Sequence, residues 1–204
     1  MTPPRSEQVA LLDFDRKQIK ALSSVACSDV FSTMSSLRAK SKRELALELG
    51  KSPASVGPHV DTLVQVGLAI EVGARKRRSR TETLYLTKAH TFRANMVGQN
   101  KATLQQYQKR IRGQMRLYER QIIAFQDVVH DDPSQQLYIT HNWRSAYLSP
   151  ENALRVKEAI QNLVDLVANF AEDDEDAIEN HNVVRMTVAA IMAPTLSESK
   201  RLAK

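Results

Sequence analysis

The chain has 204 residues, 42% of them apolar, one cysteine and a net charge of +6, which allows a packed core and excludes an intrachain disulfide framework or a cysteine-rich metal box. No apolar run approaches the length of a membrane span. The charge is uneven: residues 1–93 carry 16 Lys/Arg against 9 Asp/Glu, residues 94–130 carry 6 against 2, and residues 131–204 carry 7 against 12, so the basic end suits a polyanion and the acidic end does not.

Residues 1–14 read as a flexible arm with Pro3-Pro4. Its first residues lack the apolar core of a signal peptide, which predicts a cytoplasmic protein. From Asp15 the pattern turns helical, with Ile19, Leu22, Val25, Ala26, Val30, Met34 and Leu37 at three- and four-residue steps. Ser23-Ser24 divides that run into two short helices. Ser41-Lys42-Arg43-Glu44 is a capping box and opens a helix that stops at Gly50, a natural left-handed exit. Ser52 and Pro53 suit the cap and first position of the next helix, whose buried stripe is Val56, Val60 and Leu63. Gly67 ends it. Leu68–Val72 and Thr83–Thr87 then read as two short strands around a basic loop.

Residues 94–130 contain no proline and read as one long helix. Leu104, Ile111, Tyr118 and Phe125 are spaced by seven, and Gln108, Met115, Ile122 and Val129 form a second series offset by four. Together they make a dimerisation seam of about three and a half heptads. Gly113 falls off the seam. Asp131-Asp132-Pro133 ends the helix. A strand over Leu137–Leu148, a helix opened by Ser149-Pro150-Glu151, an acidic loop at 172–176 and a strand over Val183–Ile191 make a small C-terminal α/β element, 131–194. A polar tail, 195–204, follows.

The stretch Leu45-Ala46, Leu49-Gly50, Ser52-Pro53, Val56, His59-Val60, Leu63 and Gly67-Leu68 resembles the helix-turn-helix of ArsR-type winged-helix regulators, without a gap in the spacing. The run Arg75-Lys76-Arg77-Arg78-Ser79-Arg80 followed by Leu84-Tyr85 resembles the basic wing of one branch, and Trp143 with Leu148-Ser149-Pro150-Glu151 resembles its C-terminal half. The resemblance implies an α+β, mainly α fold: a winged helix-turn-helix domain at 15–92, a dimerisation helix at 93–130 and the C-terminal element. It also implies a homodimer that binds double-stranded DNA, as a repressor of transcription.

The chemistry agrees independently. A helix over 53–66 fits a major groove, and five cations within 75–80 suit phosphates or a narrow minor groove. The candidate DNA contacts are Ser41, Lys51, Ser52, Ala54, Ser55, Gly57, Pro58, His59, Thr62, Arg75, Lys76, Arg77, Arg78 and Arg80. A charge run can also be merely solvated, but this one sits at a hairpin tip after a recognition helix. Pro58 cannot donate to the Ala54 carbonyl, which predicts a kinked or late-starting helix. Asp61 would repel a nearby phosphate. Those two features keep open the alternative, a weakly specific architectural or protein-interaction module. Trp143 and Tyr147 could line the pocket of a small-molecule effector or pack in a core. The histidines lack ligand spacing, Cys27 reads as a small core residue, and no nucleophile–base pair or phosphate loop is present. No enzymatic activity, metal or cofactor is expected.

Overall fold

Fold class follows from where the apolar stripes meet. The computed structural model describes residues 8–77, 80–134, 145–170, 188 and 191–193, and the chain divides into two units, 1–133 and 134–204. Among the described residues the fold is α+β and mainly helical, with six helices, a three-stranded sheet and a two-stranded sheet.

The first unit is built on short helices that start where the sequence offers a cap. In α1 (Arg16–Leu22) the Asp15 carboxylate accepts from the Gln18 amide, and the Gln18 side chain accepts from the Asp15 amide. After Ser23-Ser24 comes α2 (Val25–Thr33), so the expected division into two helices is present. Strand β2 (Lys40–Ser41) leads into α3 (Lys42–Glu48), and α4 (Pro53–Gln65) follows after a short turn. Ile19, Leu22, Val30, Leu45, Val56, Val60, Leu63 and Leu68 are each no more than 1% exposed. Burying a side chain of this size contributes about 1.5–3 kcal/mol, and these residues weld the four helices into one core.

The hairpin is longer than expected. Strands β3 (Ala69–Arg77) and β4 (Arg80–Thr87) pair antiparallel as far as Arg77 opposite Arg80, and β2 pairs on the other edge of β4. Arg75, Lys76, Arg77 and Arg80 therefore lie within strands, not in a loop, because the ladder of backbone hydrogen bonds continues past the apolar base. A register shift between Glu71 and Gly73 marks a bulge, and Gly73 has φ +147° there, a conformation that suits glycine.

Three further expectations are corrected. Residues 9–13 are no arm: β1 (Val9–Asp13) pairs in parallel with β5 (Ala89–Arg93). The stack of Phe14 on Phe92, with both rings edge-on to Phe31, anchors that pairing to the core. Residues 89–93 are thereby taken by β5, and the long helix begins later. Asn100 caps α5 (Lys101–Asp131) by accepting from the Thr103 amide. Nor is α5 a segment apart. Thr103, Arg110 and Gly113 are buried on it, and the helix packs against α1 and α2. Arg110 lies 4.9 Å over the Phe14 ring, and a Cβ on Gly113 would stand 3.7 Å from Val25 Cγ2.

In the second unit, α6 (Pro150–Asn169) starts where Ser149 Oγ accepts from the Asn152 amide. Residues 145–149 carry no regular structure, so the expected strand does not extend over them. The rest of that strand, Trp143, the acidic loop and the tail lie outside the described residues, as does the strand expected at 183–191 apart from residues 188 and 191.

Candidate nucleic-acid interface

Four local bonds set the start of α3 and the turn into α4. Ser41 Oγ accepts from the Glu44 amide while a Glu44 carboxylate oxygen accepts from the Ser41 amide. Gly50 takes φ +62° and lets the Lys51 amide reach the Ala46 carbonyl at 2.8 Å. Ser52 Oγ then accepts from the Ser55 amide to start α4 at Pro53. The helix runs unbroken through Gly57-Pro58 to Gln65. It does not begin late, because the cap fixes its start and the buried stripe holds both halves.

Which face of α4 meets solvent decides which candidates can touch a ligand. Val56, Gly57, Val60 and Leu63 are buried. Gly57 is therefore corrected from contact to packing residue; it faces α3, where a Cβ would meet Lys42 Cδ at 3.8 Å. Ser41 is corrected as well: it is 2% exposed and its hydroxyl is spent on the cap. Ser52, Ala54, Ser55, Pro58, Asp61 and Gln65 are exposed, and His59 and Thr62 are half-buried. The Ser55 hydroxyl donates to the Ser52 carbonyl and the Thr62 hydroxyl to the Pro58 carbonyl, so each hydroxyl already uses its proton within the helix.

Asp61 does not present a bare negative charge. It forms an ion pair with Lys42 of α3, whose ammonium also lies 5.7 Å from the Tyr85 ring centroid. Burial is the largest single influence and works against the Lys42 charge, but the hydrogen bond and charge of Asp61, together with Tyr85, outweigh it and raise the ammonium pKa. Sequence reading missed this pairing, which joins positions on two helices.

The hairpin cations divide into two groups. Arg75 is half-buried and reaches Glu44 at 2.8 Å and Glu82 at 3.9 Å. That corrects it from phosphate contact to structural brace. Lys76, Arg77 and Arg80 are exposed, and Arg78 lies outside the described residues. Lys51 of the turn is 3.8 Å from Asp29, a carboxylate 5% exposed in α2, which Arg120 of α5 approaches to 3.4 Å.

On α5, Leu104, Met115 and Ile122 are 39%, 37% and 39% exposed, while Ile111, Tyr118, Phe125 and Val129 are half-buried. Tyr147 is 97% exposed and lines no pocket among the described residues. Cys27 is buried in the core, and burial pushes its thiol up to about 11. Among the described residues no group of His, Cys, Asp and Glu could hold a metal ion, and no helix is long and apolar enough to cross a membrane.

No family model and no curated protein matches the chain.

Proposed function

We propose that the chain is a DNA-binding transcriptional regulator, acting as a homodimeric repressor in the cytoplasm, with residues 15–92 as a winged helix-turn-helix domain. Helix α4 is the recognition helix, the β3–β4 hairpin is the wing and α5 supplies the dimer seam. The observation that carries this reading is the charge arrangement around α4. Its one acid, Asp61, is paired with Lys42, and the outer hairpin presents Lys76, Arg77 and Arg80 without a described acidic neighbour. A capped helix with a neutral outer face can approach bases, and an exposed cationic hairpin beside it suits phosphates.

The test is duplex binding over a range of salt, followed by selection of bound fragments from the source genome. One enriched palindrome supports a regulator with an operator. Diffuse enrichment supports instead a weakly specific architectural module, which the internally bonded Ser55 and Thr62 hydroxyls favour. Absence of salt-dependent duplex binding rejects both.

A further inference from the structure

The two flanks of α4 differ. Gly57 and Asp61, one turn apart, face Lys42 on α3. On the opposite flank His59, Thr62 and Val66 border an open groove of about 640 Å³ whose far wall is α1. Lys17 and Lys20 of α1 line it, one turn apart and so on a common face. No acidic residue lines the groove, and α1 contains none. Among the described residues neither ammonium has a carboxylate within ion-pair distance. The buried Cys27 at the groove is a neutral thiol near pH 7 and supplies no counter-charge. Two exposed cations on one face with no internal partner attract an external anion.

A duplex fixes what that anion is. A major groove is about 12 Å wide and a helix with its side chains about 10–12 Å across, so a helix in the groove has a phosphate strand along each flank. The hairpin is tied through Arg75 to Glu44 at the start of α3, which places its base on the Lys42 flank. We propose that the α1–α4 groove is a second phosphate-binding surface, in which Lys17 and Lys20 hold the DNA strand opposite the one met by the hairpin. This inference rests on the DNA-binding reading above.

The experiment compares the full-length wild type with Lys17→Gln/Lys20→Gln, Lys17→Arg/Lys20→Arg and Arg77→Ala/Arg80→Ala on one labelled duplex across a salt series. The glutamine pair is expected to lower the log–log salt slope by about 1.8, at ~0.9 per phosphate contact, and to weaken binding on the order of tenfold or more near 0.15 M salt. The arginine pair should recover both. Phosphate-ethylation interference on the wild type should mark phosphates on both strands beside each half-site. An unchanged slope in the glutamine pair while the hairpin variant is weakened, or interference on one strand only, overturns the inference and leaves the DNA reading standing. A wild type that shows no salt-dependent duplex binding overturns both.

Discussion

Glu44 ties three parts of the domain together. It completes the cap of α3 with Ser41, holds Arg75 of the hairpin at 2.8 Å and lies 3.9 Å from Arg38. Burial alone would raise its carboxyl pKa, but the Ser41 backbone bond and Arg75 outweigh it and hold the pKa below the ordinary value. A carboxylate with a depressed folded pKa adds stability above its unfolded pKa and loses it as pH falls through the folded value. Glu44→Gln should therefore cost about 1–2 kcal/mol in urea unfolding at pH 7, the combined scale of a cap and a partly buried ion pair. The cost should shrink as pH falls through the depressed folded pKa, and so be smaller at about pH 3, below the unfolded glutamate range, than at pH 7. An equal cost at both pH values would show that shape, not charge, is what Glu44 supplies. Gly57 and Pro58 make the opposite case. Ordinary contact space surrounds a Cβ at 57, so Gly57→Ala should stabilise by about 0.5–1 kcal/mol. Pro58→Ala should restore the bond to Ala54 and add about 1–3 kcal/mol, less what the proline saves in the unfolded chain. A double variant that melts no higher than wild type would show that the pair is matched to its surroundings in another way.

Among the elements, α5 presents two different faces. Thr103, Arg110 and Gly113 bury one face on α1 and α2, and Leu104, Met115 and Ile122 leave another accessible. At 31 residues the helix is ~46 Å long at ~1.5 Å per residue, long enough to carry a seam of several heptads. Ile111→Asp with Ile122→Asp is expected to give monomers or aggregates in sedimentation, because a charge in an apolar seam is not compensated. A wild-type-like dimer in that variant would rule out the seam. In the proposed function the hairpin acts through charge. Arg77→Ala/Arg80→Ala should weaken binding to every duplex alike and flatten the salt slope by about one unit per lost contact. Unchanged binding would mean that the hairpin points away from DNA.

For the molecule as a whole, the proposed DNA binding separates reading from holding. Ala54 and Pro58 offer α4 no side-chain donor or acceptor, and Ser55 and Thr62 have committed their protons within the helix. Direct base readout is then weak compared with a bidentate Arg or Asn. In the proposed binding mode the cations on both flanks of α4 would hold any duplex, so selectivity would fall to DNA shape and to the half-site spacing that a dimer would impose. The expected ratio of specific to non-specific affinity lies toward the lower part of the ~10³–10⁷ range. Competition between the best operator and bulk DNA at fixed salt measures it. A ratio near the top of that range, lost on Thr62→Ala alone, would show that hydroxyl readout dominates.

Local chemistry made much of the first unit legible. Ser41 with Glu44, Ser52 with Pro53, Gly50 and Gly67 act within a few residues of themselves, so the starts and stops of α3 and α4 could be placed from sequence. The buried stripe Val56, Val60 and Leu63 followed from helical period alone. What needed the tertiary structure was every pairing between distant positions. β1 finds β5 some 80 residues away, and that contact converts an expected arm into a strand and delays α5. Lys42 meets Asp61 only when α3 and α4 pack, which turns an apparent repulsion into a neutral face. The same packing withdraws Ser41, Gly57 and Arg75 from solvent-facing roles and brings Lys17 and Lys20 beside His59 and Thr62. A residue's type and spacing fix which element it joins; which side of that element stays open depends on what folds against it.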